Sequence, residues 1–532
     1  MYGQGPSTHT FRRSLPAARA RCGYRVRSYK DDFYDRIHVS PSAFALGNLS
    51  TEQVREIEVW NAFLEPKTLS SADVVNGEGL DVTLPGSVPL GWKPLQARTI
   101  TLNISVAGGA TIDAQLVLIF AGIDPVTIPI TGSRVFLWPL PGDWAQGMRE
   151  GLEWLTSVQR SIDGSRDAEP LRELPRRDFS IDYIADRKER RIIENAMFSW
   201  TGRIWTLPIY PDVERLAAAL PATSTAIPMP GGTAGLDFAE GGQVVLWREV
   251  DGYELVEIAE GGIQANQLLL ARPTLQDWPI GTRIYPTRQA RLQSAPQLAR
   301  KNDQMITFSA TFDVDEPCDW PAMAPAANYL GFPVLEHRSD EGEDPQAALG
   351  RQLEVLDSSV GLVDVADITG YAWPTQSHAW RLDGRAQRAA HRSLLYWLAG
   401  RAQALWLATG TDDLQMIEVA GAPGSQLTVA WAGVTRFLGG APGRKHVRIE
   451  LKDGTVFYRR VSASTEVDAA REHVAIDPVL GQALAPEEVR QISWMALSAL
   501  ASDRVEIAHM TDSEGIADVS VSFEGTPAEE PV

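Results

Sequence analysis

The order of apolar and polar positions along this chain is that of strands far more than of helices. Between residues 37 and 145, runs that alternate or are short and apolar, Arg55 to Trp60, Ile100 to Val106, Ile112 to Phe120, Val126 to Ile130 and Val135 to Leu137, are separated by Gly and Pro turns. The pattern predicts a β-sandwich there. Two later stretches carry the 3.6-residue period of amphipathic helices, one through Ile192, Ile193, Ala196, Met197 and Trp200, the other through Ala390, Leu394, Trp397 and Leu398. These residues are expected to form the cores of their own domains.

The two helical stretches belong to an internal duplication at an offset of about 200 residues. Trp200, Gly202, Arg203 and Trp205 answer Trp397, Gly400, Arg401 and Trp406, and an acid follows in each copy, Asp212 or Asp412. "VVLWREVDGYELVEI", turning at Asp251 and Gly252, answers "VRIELKDGTVFYRRV", turning at Asp453 and Gly454, with an Asp-Gly hairpin signal between apolar runs in both. "NQLLLARP" then answers "EHVAIDP", and "DQMITFSATFDV" answers "DRVEIAHMT". A period this long indicates a duplicated domain, since solenoid repeats span only about 20–50 residues. The two Gly-Arg pairs are expected just beyond each covering helix, where Gly takes the left-handed conformation that ends a helix and the Arg reaches a carboxylate or carbonyl.

The predicted organisation is therefore a basic N-terminal arm (1–36), a β-sandwich (37–145), a first copy (146–320), a linker (321–350), a second copy (351–526) and a frayed tail (527–532). The fold class is mainly β, with one covering helix per copy. The linker contains the acidic run Asp340-Glu341-Gly342-Glu343-Asp344, which lacks the alternating ligands of a calcium loop and reads as a solvated connection.

Composition narrows the function classes. Hydrophobic residues make up 44% and charged residues 22% of 532, the balance of a globular protein with several cores. The net charge of −19 argues against general nucleic-acid affinity, which needs clustered positive charge. The exception is residues 1–30 of the arm, where Arg12, Arg13, Arg19, Arg21, Arg25, Arg27 and Lys30 occur with no acid and no apolar segment of a secretory signal. It is expected to be disordered alone and to order on a neighbouring subunit. No apolar run approaches a membrane span, the longest being Leu116 to Ile123. Cys22 and Cys318 have no metal-type spacing and read as free thiols. Of 49 basic residues only seven are Lys, and Arg suits desolvated interface contacts, although a GC-rich genome gives the same bias.

The common catalytic signatures are absent: no Gly-x-Ser-x-Gly elbow, no His-Glu-x-x-His, no Cys-x-x-Cys and no phosphate loop. "NGEGLDV" places Val82 where a dinucleotide fingerprint needs its third Gly. The eight histidines are scattered, and His391, on the second helix beside Arg388 and Arg392, reads as a partly buried structural residue. The pair Asp412 and Asp413 has the residue types of a glycosidase but reads as a turn. No catalytic, cofactor or metal residue is assigned, and the expectation is a protein without enzymatic activity.

Two resemblances add to this reading. "VSPSAFALGNL", "VREIEVWNA" and "RTITLNISVAGGATIDAQLVLIF" resemble an immunoglobulin-like sandwich. The chain at large, through "DDFYDRIHVSPSAFALGN", "LEWLTSVQRSIDG", "LRELPRRDFSIDY" and above all "WREVDGYELVEI" with "LLLARPTLQDWPIGTRIYPTRQARL", resembles tail-tip proteins of long-tailed, non-contractile bacteriophages. That resemblance implies a structural virion protein of the distal tail type, or a baseplate hub, assembled in the host cytoplasm. It implies a homo-oligomeric ring, a trimer or alternatively a hexamer, between the tail tube protein and the hub and receptor-binding or fibre proteins, with DNA passing through an acidic channel. The implied fold pairs one tube-like domain with one appended domain, whereas this chain carries two related copies, which brings the hub reading close. Sixteen Trp residues also admit a different class, a glycan-binding module or depolymerase, and an unrecognised hydrolase stays open.

Overall fold

The computed structural model describes residues 33–49, 52–105, 111–340, 342, 345–438 and 440–531. Half of the chain is strand and 8% helix. The basic arm, with Cys22, lies outside the described residues except for its last four. The chain divides into two units, Met1–Trp138 and Pro139–Val532. The first boundary thus falls at Trp138, ahead of the expected 145, and both copies share the second unit.

In the first unit, alternation along Gln53–Asn61 puts Ile57 and Val59 inside and Glu56 and Glu58 outside. Period-2 side chains give such a strand one apolar face, which must be covered. Two sheets do so. One has the order Ile37–Ser40, Gln53–Asn61, Ala97–Ile104, Leu80–Thr83, and the other Phe44–Leu49, Val126–Arg134, Thr111–Phe120, Lys67–Val75, Leu90–Trp92. Their inner residues, among them Ile57, Ile100, Leu116, Phe120 and Ile128, form one core around Trp92. The Trp92 indole donates to the Val59 carbonyl at 3.3 Å and meets Phe120 edge-on.

In the second unit, each copy begins with a strand, Arg176–Asp186 or Trp373–Leu382, followed by a helix, α1 (Lys188–Trp200) or α2 (Arg385–Leu398), and a buried strand, Ile204–Pro208 or Ala404–Ala408. A small β-lobe follows. Its core is Ile227, Val244, Leu246, Val256, Leu268 and Ile284 in the first copy and Leu427, Val447, Ile449, Val474, Ile476 and Ile492 in the second. The lobes share matching backbone bonds. Leu220 and Trp278 exchange two backbone hydrogen bonds of 2.8 Å, and Ala420 and Leu484 exchange two of 2.9 Å. Likewise Leu270 donates to Thr225, and Ile476 to Ser425, each at 2.9 Å.

The end of the repeat differs from the sequence expectation. Met305–Val314 pairs with Arg176–Asp186 and Arg283–Leu292, and the strand with those two roles in the second copy is Ala517–Gly525, which pairs with Trp373–Leu382 and Val489–Leu500. The segment from Asp503 forms the strand before it, Arg504–His509, which answers the short strand Ala299–Arg300 of the first copy and also pairs with Asp143–Glu153. Asp143–Glu153 also pairs with Arg176–Asp186, so it lies between strands of the two copies.

Two further expectations change. The segment 321–350 is more than a polar linker: Tyr329, Val334 and Leu335 are buried, and Ala347–Gly350 extends the sheet beside Trp373–Gln376, while Asp340 and Gly342 of the acidic run are exposed. A few large apolar residues outweigh the polar composition around them. Nor is the end frayed, because Pro527 is buried and the Glu530 carboxylate accepts from the backbone N–H of Gly443 at 2.9 Å.

Candidate functional site: a buried charge seam

Helix α2 carries Arg385, Arg388 and Arg392 at spacings of three and four, which places them on one stripe. The stripe faces the first copy. Arg388 donates to Asp212 and, at 2.9 Å, to the Pro211 carbonyl, and Arg385 donates to Glu214 and the Val213 carbonyl. Asp212 sits in the 3-10 turn Tyr210–Asp212 of the first copy. The next turn of the helix brings Arg392 Nη2 to Glu150 Oε2 at 2.7 Å.

Glu150 lies on the bridging strand Asp143–Glu153 and is fully buried. It also accepts from Arg177 Nε at 2.7 Å and from His509 Nε2 at 2.8 Å, so one carboxylate ties together strands of both copies. Arg177 reaches on to Asp237, which Arg288 also holds at 2.6 Å. Four arginines therefore meet three buried carboxylates, with Glu316 beside Arg288 at 3.5 Å as a fourth acid.

Burial would push the Glu150 carboxyl up, but Arg177 and Arg392 outweigh it and hold the group well below the usual range. Asp237, under the same opposition of burial against Arg177 and Arg288, lies at about 2. Burial pushes His509 down, which leaves a neutral imidazole that donates through Nε2 to Glu150. Glu150, Asp212 and Asp237 are each held by guanidinium groups, so the arrangement fastens the two copies together. Loss of either partner in such a fastening strands a buried charge.

The expected landmarks lie apart from this seam. Gly400 takes the left-handed conformation, φ 69°, after Ala399, itself at φ 49°, but Gly202 does not, because Thr201 continues the right-handed turn of α1. Arg203 lies over the Trp200 ring at 5.3 Å, and it is the backbone of Arg401 that is engaged, its N–H on Asp503 and its carbonyl on Arg166. Trp205 and Trp406 are both buried but are not equivalents: Trp205 pairs with Ala290 and Leu405 with Ser498, which makes Leu405 the counterpart of Trp205. One residue of slip turns a strand side chain to the other face. Trp200 and Trp397 are half-buried. Asp251 precedes the turn into Gly252–Gln264 and pairs with Lys188, while Asp453 accepts from Thr455 N–H and Gly454 has φ 90°.

No family model and no curated protein matches the chain.

Two other features stand out. A cleft of about 600 Å³ in the second copy is lined by Leu349, Pro374, Leu407, Gly410, Thr411 and Arg444, among others. A two-stranded ribbon, Leu353–Leu356 with Asp364–Asp367, is exposed throughout, and Leu353, Val355, Leu356 and Val365 are each at least half exposed, with Val360 and Leu362 at its tip above 90%. Elsewhere His446 is sealed under Trp406 and bonded to the Tyr329 hydroxyl at 3.0 Å, and burial pushes its imidazole down to about 4. Among the described residues no three His, Cys, Asp or Glu are grouped to hold a metal ion, and no helix is long and apolar enough to cross a membrane. Cys318 is a buried free thiol. His391 is likewise buried and pushed down to about 4 by that burial.

The sequence reading missed the seam. Its one sequence signal was the arginine stripe of α2, since the acids that answer it, Glu150 and Asp212, stand 242 and 176 residues away from their arginines.

Proposed function

We propose that this protein is a structural subunit of the tail tip of a long-tailed, non-contractile phage, of the distal tail type, that assembles into a homo-oligomeric ring around the DNA channel. The observation that carries the reading is the seam. Two related domains joined by a buried, directional contact behave as one rigid block, and such blocks suit a ring that must hold shape between a tube above and host-recognition parts below. A trimer would present six similar domains to a sixfold tube. The bare apolar ribbon also supports assembly, because exposed apolar patches of this kind mark interaction surfaces and a lone two-stranded hairpin is marginal in water. The presence of two copies in one rigid unit favours a hub as the second reading. The cleft, lined by no tryptophan, gives the glycan-binding alternative no stacking platform.

The test is the mass and rotational symmetry of the purified full-length chain by light scattering and electron imaging. A closed ring of three or six chains is expected, and a monomer at every concentration would refute the reading.

A further inference from the structure

The contact between the two copies runs in one direction only. The helix-ending bonds Thr201 N–H to Met197 and Ala399 N–H to Leu395 align the C-terminal ends of α1 and α2, so that, counted back from there, Phe198, Glu194 and Arg190 correspond to Tyr396, Arg392 and Arg388; α2 is one residue longer, and its first helical bond, Arg388 N–H to Gly384, matches that of Arg191 N–H to Arg187. In α2 these positions are covered: Arg388 lies on Asp212, Arg392 on Glu150, and the Tyr396 hydroxyl donates to the Cys318 carbonyl at 2.9 Å. In α1 the same face is open. Phe198 is 95% exposed, Arg191 and Asn195 on that face are exposed as well, and the half-buried Arg190 and Glu194 pair with each other at 2.9 Å.

The receiving surface is open in the complementary place. Backbone bonds of 2.9 Å from Ile209 to Pro286 and from Thr409 to Trp494 make Asp412 the counterpart of Asp212. Asp212 is fully buried under α2, whereas Asp412 is exposed. Beside Asp412 lies the 600 Å³ cleft, with apolar walls from Leu349, Pro374 and Leu407. Its Arg444 guanidinium lies over the Trp494 ring at 5.9 Å and is attracted by Asp413 on the same wall. A two-fold contact would have used both helices within one chain. This one uses α2 and leaves α1 and the Asp412 surface over, which is the mark of a heterologous contact that repeats from one unit to the next.

We propose that the Arg190, Glu194 and Phe198 face of α1 docks on the Asp412 surface of a second copy of this chain, repeating between chains the contact that joins the two copies within one. The charges are complementary: Arg190 would face Asp412 and Glu194 would face Arg444, while Phe198 would meet Leu349, Pro374 and Leu407 on the apolar wall of a cleft that is otherwise largely polar. This rests on the ring reading above, to which it assigns the interface.

The experiment uses the full-length chain with Phe198→Asp, Arg190→Glu, Asp412→Arg, and the double variant Arg190→Glu with Asp412→Arg, followed by light scattering. Each single change is expected to weaken self-association by about tenfold or more, and the double variant to recover it. Mixing the Phe198→Asp chain with the Asp412→Arg chain should give a species of two chains and no larger, since only one intact contact is left between them. Unchanged melting would show that the exposed substitutions leave the fold intact. A wild-type ring whose mass none of these variants alters would overturn this inference and leave the ring reading standing. A wild-type monomer would overturn both.

Discussion

Arg392 Nη2 and Glu150 Oε2 lie 2.7 Å apart, both side chains almost fully buried, although 242 residues separate them in the chain. The pair is where the second copy's helix meets the strand shared by both copies. Glu150→Gln removes the charge but keeps the shape, leaving Arg177 and Arg392 buried with weaker partners. The expected loss is about 3–5 kcal/mol in urea unfolding. A loss below about 1 kcal/mol would mean that the seam is not what holds the copies together.

Acid should open the same seam. The folded pKa of Glu150 lies well below its unfolded value and that of Asp237 is about 2, so both contribute stability that is complete above the ordinary carboxyl range. That contribution is lost as pH falls through the folded values. Melting temperature followed downward from pH 7 should therefore drop steeply only below about pH 4, and Glu150→Gln should flatten the drop.

Glu530 should act with the opposite sign. Burial pushes its carboxyl up to about 7, although the backbone N–H groups of Gly443 and Leu497 stabilise the charged form. The folded state then binds the proton more tightly than the unfolded state, and the stability this gives is fully present at low pH and lost as pH rises from about 4.5 through about 7. Glu530→Gln should be more stable than the natural chain at pH 8, by about 1–2 kcal/mol after allowance for partial exposure, and equal to it at pH 4. Equal melting at both pH values would contradict this placement of the chain end.

The exposed ribbon should matter to assembly and little to the fold. Val355→Thr with Val365→Thr exchanges two outward apolar side chains for isosteric polar ones, and unfolding free energy should stay within about 0.5 kcal/mol. Self-association measured by sedimentation should weaken. An equally large fall in both would mean that the ribbon packs on its own unit.

The fold was legible where one face of an element is buried. Ile57 and Val59 alternate with Glu56 and Glu58, and the Asp-Gly hairpins recur with the pattern of "NQLLLARP" and "EHVAIDP", so the strands and most of the duplication could be read directly. The pairing of residues 303–314 with the segment from Asp503 failed because two short apolar runs follow one another there, and pattern alone does not say that Ala517–Gly525, and not Arg504–His509, is the equivalent strand. Tyr329, Val334 and Leu335 were hidden in a polar stretch. The seam was illegible for a different reason: a buried charge is recognised by its partner, and Glu150, Asp212 and Asp237 are single acids in unrelated segments until the fold gathers them.

The most direct test of the ring account is electron imaging of the purified full-length chain, with class averages viewed along the rotation axis. The account predicts a closed ring with six similar lobes, two per chain in a trimer, around a channel whose wall carries more Asp and Glu than Lys and Arg, so that DNA phosphates pass without adhering. Isolated single chains, an open filament, or a closed ring around a strongly basic channel would contradict it.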